Sequence, residues 1–152
     1  VFEALQQEEN ETARDFFYIS LMTGARKSNL IAMHWNEINW ERREWQIPET
    51  KNGEAVTIPL IEPAIEILEK RYRLAQERRA EYERRKKQGE DDIKDTSQWV
   101  FEGNGEAGHL IDPKKTWQRI RQRATLALWR QDETLNALID EIENDIQTRD
   151  NY

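Results

Sequence analysis

The run Phe16-Phe17-Tyr18-Ile19-Ser20-Leu21-Met22, closed by Thr23-Gly24 and followed by Leu30, Ile31 and Met33, constrains the fold most. A stretch that apolar is not a solvated face. It has the length and character of a buried helix, and Gly24 reads as its stop because glycine takes a left-handed C-terminal conformation without steric cost. Leu30, Ile31 and Met33 then recur at helical spacing, with Ser28 or Lys27 near the start of a second helix. Arg26 therefore stands at a junction between two anchored elements. A guanidinium held rigidly there suits clamping a phosphate through two parallel hydrogen bonds. It equally suits pairing with a carboxylate or capping a carbonyl, and the turn taken alone favours that plainer role.

The second constraint lies at Trp45 to Leu60. Two short β-leaning runs flank Asn52-Gly53, a strong hairpin signal because both residues tolerate positive φ. Lys51 is thereby lifted onto a hairpin tip. Residues 37–60 form the only β-region, and Asn39-Trp40, Glu44 to Pro48 and Ala55 to Ile58 are expected to make a three-stranded antiparallel sheet, with Trp40 and Trp45 on its inner side. Everything else reads as helix or loop. Helices are expected near 2–8, 12–23 and 28–33, and a long one from Glu62 with Ile61, Ile65, Leu68, Tyr72 and Ala75 as its apolar stripe. A further helix from Pro113 presents Trp117, Ile120, Ala124 and Leu128, and a last one over 133–146 presents Leu135, Leu138, Ile139, Ile142 and Ile146. Residues 88–97 read as a polar linker after the long charged helix, and 103–108 as a loop with three glycines. The expected class is α+β, mostly helical, with helices around a small antiparallel sheet.

Composition bounds what this fold does. The 152 residues, 37% hydrophobic and 35% charged, allow one domain with a modest core and much charge on exposed helices. No stretch approaches a membrane span and no signal peptide is visible. The absence of cysteine removes a disulfide framework and a thiolate zinc site, and fits a cytoplasmic location. His34 and His109 lack partners at metal-ligand spacing, and no cofactor is expected. A start at Val1 rather than Met is expected of an excised segment.

A formal net charge of −7 argues against a simple nucleic-acid binder. The charge is uneven, however. Residues 69–87 hold nine Lys/Arg against four Glu and residues 112–130 hold six against one Asp, so each is net +5, while 88–111 is net −5 and 131–152 net −6. The first basic run alternates with Glu69, Glu77, Glu81 and Glu83, the pattern of a solvated helix laced with ion pairs. It is not the expected DNA surface.

Several of these residues resemble the catalytic domain of tyrosine recombinases, the phage-type integrases. Thr23, Gly24, Arg26, Leu30, Met33, Trp35 and Ile38 fall in register with a box of the form T-G-x-R-x-x-E-L-x-x-L-x-W-x-x-I. Lys51 with Ile58-Pro59-Leu60 matches the hairpin lysine and strand end that follow it. A softer match covers Trp99-Val100-Phe101 and Gly108 to Ile120, where Asp112-Pro113 also suits a helix start. The resemblance spans roughly Phe16 to Ala124. It implies site-specific DNA recombination by strand cleavage and rejoining through a phosphotyrosine. It assigns Arg26 as the first phosphate clamp and Lys51 as the acid that protonates the leaving 5′-oxygen. Implied partners are double-stranded DNA at attachment sites and further copies of the protein on that DNA. No metal is implied, because arginines supply the electrostatics.

The departures are as informative. The family's H-x-x-R box is absent, since Glu37 lies three residues after His34 and Asp112 three after His109. None of Tyr18, Tyr72, Tyr82 or Tyr152 has the setting of the nucleophile, and Asn29 occupies a usually acidic position. Residues 1–152 thus read as the N-terminal part of a catalytic domain, inactive alone, with 131–152 an acidic helix and possible insertion whose stripe suits oligomer contacts. The alternative is a non-catalytic helical interaction or regulatory module.

Overall fold

The structure is a computed structural model that describes residues 1–48 and 53–150, with side chains through Asn144. Its elements in chain order are α1 (Phe2–Gln6), α2 (Glu11–Thr23), α3 (Lys27–Ile31), a 3-10 turn (Trp35–Glu37), β1 (Ile38–Asn39), β2 (Glu44–Ile47), β3 (Val56–Pro59), α4 (Glu62–Lys87), α5 (Lys114–Trp129) and α6 (Glu133–Asp150). The expected α+β class, helices with one small antiparallel sheet, is the class observed. The chain divides into two compact units, residues 9–113 and residues 1–8 with 114–152.

In the larger unit, local chemistry sets the helix ends. The Asn10 side chain accepts from the Ala13 N–H at 3.0 Å and caps α2, satisfying a donor that the helix cannot. At the other end Gly24 adopts φ 64° and donates its N–H to the Ser20 carbonyl. The β1-β2-β3 sheet is antiparallel throughout, with Ile38 opposite Trp45 and Trp45 opposite Ile58. Alternation sends Trp45 and Ile47 inward and Gln46 to solvent. Trp45 is fully buried, and its indole N–H donates to Glu37 Oε2 at 2.9 Å. The expected inner position of Trp40 does not hold. Trp40 falls in the turn after β1 and lies half-buried on the outside of the core, stacked on Trp35 and against Tyr72.

The core joins Phe16 and Ile19 of α2, Leu30, Met33, the sheet residues, Leu60, Ile65 and Leu68 of α4, and Val100-Phe101. The apolar stripe expected on α4 needs correction at two positions. Ile61 and Tyr72 are exposed, and the inward face is Ala64, Ile65, Leu68, Arg71 and Ala75. Arg71, only 3% exposed, is the hub of a polar network. It donates to the Val100 carbonyl at 2.9 Å, to Asp15 at 3.0 Å and to Glu102 at 2.7 Å, and lies 5.2 Å from the centroid of the Phe101 ring. A buried guanidinium is tolerated because nearly every donor has a partner. The outer half of α4 carries the expected ion pairs, Arg79 with Glu83 and Arg84 with Glu81. Arg85, Lys86 and Arg79 also pair with Glu90, Asp91 and Asp95, which fastens residues 90–95 along the helix.

In the smaller unit, α1 packs on α5. Of the stripe expected on α5, Ile120 is buried beside Thr116, whereas Leu128 is 66% exposed. The Asp132 carboxylate accepts from the Thr134 and Leu135 N–H groups at the start of α6, and Arg130 reaches Asp140 and Glu143. Ile139 is buried, while Leu135, Leu138 and Ile142 of the same stripe are exposed.

Candidate functional site

Arg26 is the N-cap residue of α3, with extended backbone (φ −64°, ψ 141°), and its carbonyl accepts from the Asn29 and Leu30 N–H groups at 3.0 and 3.1 Å. The turn before it is tied internally. Thr23 Oγ1 donates to the Ile19 carbonyl at 2.7 Å and accepts from the Ala25 N–H at 3.3 Å, so one hydroxyl bridges the last turn of α2 and the residue preceding Arg26. Beyond it, Leu30 and Ile31 are buried. The backbone of Arg26 is thus clamped from both sides while its side chain is exposed, with no ion pair or hydrogen bond among the described residues. Its neighbour Lys27 pairs with Asp112 at 3.4 Å.

Lys51 lies outside the described residues. The strands that lead to it do not: β2 and β3 are in register through Ile47 opposite Val56. Beside them opens a cleft of about 660 Å³, walled by Gln46, Val56 and Thr57 on the sheet and by His34, Asn36 and Trp99 opposite. Sequence reading did not anticipate it. His34 and Trp99 are brought together by backbone pairing, in which the Val100 N–H donates to the Met33 carbonyl at 3.0 Å and the Trp35 N–H to the Gln98 carbonyl at 3.2 Å. His109 packs on Trp99 as well, so both histidines of the chain meet the same indole. Among the described residues no three His, Cys, Asp or Glu side chains gather in a metal-holding group, and no helix is long and apolar enough to cross a membrane.

On α5 the cations separate into two faces. Arg119 and Arg123, one turn apart, both reach the buried Glu8 that follows α1, at 3.1 and 3.2 Å. Lys115, Gln118, Arg121 and Gln122 are all exposed on another face, and neither Lys115 nor Arg121 has a carboxylate partner among the described residues. Counting charge over 112–130 does not separate these faces, although plotting it at 100° per residue would have.

The sequence profile described as the Phage integrase family matches residues 2–136, from α1 into α6. A putative integrase/recombinase of Haemophilus influenzae is 42% identical over 53 residues, which cover 35% of this chain and 14% of that protein. A second from the same organism is 40% identical over 48 residues, covering 32% of this chain and 16% of that protein. The prophage integrase IntF of Escherichia coli is 26% identical over 125 residues, covering 82% of this chain and 23% of that protein. The chain therefore spans less than a quarter of the length of these curated relatives. The match takes in the Thr23-Gly24-Ala25-Arg26 turn, the three-stranded sheet and α5 in a single span, and on that basis the chain belongs to the phage integrase family.

Proposed function

We propose that this chain is part of a site-specific DNA recombinase, in which Arg26 binds the scissile phosphate and Lys51, on the hairpin, protonates the leaving 5′-oxygen. The observation that carries the reading is Arg26 itself: a guanidinium on a backbone fixed by Thr23 and by the buried start of α3, exposed and unpaired among the described residues. An arginine meant only to stabilise the fold would be expected to hold a carboxylate, as Arg71 does. Bidentate donors aimed outward supply the charge that a transferring phosphoryl group requires. The exposed cation and amide face of α5 supports duplex DNA as the partner, because lysine and arginine neutralise phosphates while glutamine reads base edges.

The second clamp arginine and the nucleophilic tyrosine belong, in this reading, to the rest of a longer protein that assembles as several copies on attachment-site DNA in the cytoplasm. Support comes from the short span of the relatives that the chain covers and from the lack of an H-x-x-R sequence within it. The chain alone then binds DNA without cleaving it. Fluorescence anisotropy on a labelled duplex tests this. Arg26→Ala should weaken binding at low salt while the unfolding midpoint is unchanged, and equal binding by wild type and variant would remove Arg26 from the DNA contact.

One observation favours a second reading. Leu135, Leu138 and Ile142 form an exposed stripe on α6, mostly beyond the family match, as an interaction module or inserted helix would present. Sedimentation of the chain separates the two, because a protein-interaction stripe predicts association that Leu138→Glu abolishes.

A further inference from the structure

The cleft between the sheet and Trp99 has a lining that the phosphate reading of Arg26 does not use. Its one carboxylate among the described residues, Glu37, is turned inward, where Oε2 accepts from the His34 backbone N–H at 3.3 Å and the Trp45 indole N–H at 2.9 Å. Among the described residues no lysine or arginine lines it. The described part of the lining is therefore uncharged toward solvent. It sets aromatic and neutral polar side chains beside the apolar Ile47, Pro48 and Val56. Trp99 makes edge-to-face contacts with His34 at 5.4 Å and with His109 at 4.8 Å between ring centroids. Gln46 and Thr57, a cross-strand pair, present exposed side chains toward the same space, and Asn36 stands exposed at the rim. Among the described residues the side chains of Gln46, Thr57 and Asn36 make no hydrogen bond. Two amides and a hydroxyl offer both donors and acceptors along one line. A volume of about 660 Å³ is in the range of small-ligand sites.

A flat, neutral ligand with alternating donors and acceptors on its edge fits that lining, and an unpaired nucleobase is such a ligand. We propose that the cleft holds one unpaired base of a DNA strand, its ring against Trp99 and His34 and its edge read by Gln46, Thr57 and Asn36. The inference rests on the DNA reading above, and it adds a site for a strand end that has left the duplex. Base pairing hides the edge that the cleft reads, so an intact duplex does not occupy it.

The test uses the 152-residue chain with 2-aminopurine deoxyriboside, a base that carries no phosphate and whose fluorescence falls on stacking against an indole. Saturable quenching by the wild type is expected, weakened about tenfold in Gln46→Ala/Thr57→Ala through loss of two neutral hydrogen bonds. Both substituted residues are exposed, so the double variant should fold, which its circular dichroism checks. Its affinity for an intact duplex should match the wild type. Absent quenching, or equal affinity in the double variant, overturns the base site. Duplex binding that persists in either case leaves the DNA reading standing, whereas quenching without any duplex binding keeps the base site and removes the reading beneath it.

Discussion

Arg71 of α4 and Asp15 of α2 form an ion pair at 3.0 Å with side chains only 3% and 8% exposed, a buried link between the two helices beside the exposed Lys70–Glu11 pair. Burial pushes the Asp15 carboxyl above its ordinary value, against the opposing pull of the Arg71 hydrogen bond. Such a pair gains little over apolar packing when both partners are present. It is costly to break, because the survivor is left charged and unpaired.

Arg71→Met is therefore expected to destabilise the chain by about 3–5 kcal/mol, the range for removing one partner of a buried pair. Adding Asp15→Leu should restore part of that loss by removing the stranded carboxylate. Urea midpoints measure both. A loss below about 1 kcal/mol in the single variant would show that the network contributes no more than a surface pair.

Asp95 gives a pH dependence of known sign. Burial alone would raise its carboxyl, but hydrogen bonds from the Ser97 side chain and backbone and the Arg79 guanidinium outweigh that and hold it below its ordinary value. A depressed carboxylate contributes stability that is present above its unfolded pKa and is lost as pH falls through the folded one. Asp95→Asn should thus be less stable than the wild type at neutral pH. The gap should close as pH falls below about 4. Thermal midpoints across that range decide the matter, and a gap independent of pH would assign the effect to packing.

The Thr23-Gly24 turn is expected to resist substitution through its backbone rather than its space. A Cβ at Gly24 meets nothing within 4 Å, yet φ is +64°, where an L side chain is strained. Gly24→Ala should cost about 1–2 kcal/mol. Thr23→Val should add a loss of about 1 kcal/mol by removing the hydroxyl that joins Ile19 to Ala25, and Thr23→Ser should recover it. Chemical denaturation reads both, and a neutral Gly24→Ala would mean that the turn relaxes freely.

On α5, replacing Lys115 and Arg121 together by alanine should weaken duplex binding uniformly across sequences. The slope of log K against log salt should shrink by about two, one unit for each phosphate that is no longer neutralised. Folding stability should change by less than about 0.5 kcal/mol, since neither residue is buried. An unchanged slope would place the DNA-binding face elsewhere.

The chain order of helices, the antiparallel sheet between residues 37 and 60 and the anchored turn at Arg26 were readable from the residues, because each depends on local rules. Those rules are an apolar run of helical length, a glycine stop and an alternating strand pattern. Arg26 was legible as a candidate for the same reason, since its backbone is fixed by its immediate neighbours Thr23 and Leu30. Arg71 was not. A periodicity argument counts arginine as solvent-facing and so selects Tyr72, because it cannot see that Asp15, Glu102 and the Val100 carbonyl converge on the preceding position. The cleft was equally hidden: His34 is distant in the chain from Trp99 and His109, and the three meet because residues 98–100 pair with 33–35 and residues 101–102 with 109–110. The sequence by itself determined the kind and order of the helices and strands, through short-range sterics and hydrophobic period, while several ends moved by one or two residues, as at Lys27–Ile31 and Ile38–Asn39. Which polar side chains are buried with partners, and which are left facing solvent, was decided only by the tertiary structure, since the partners come from distant segments.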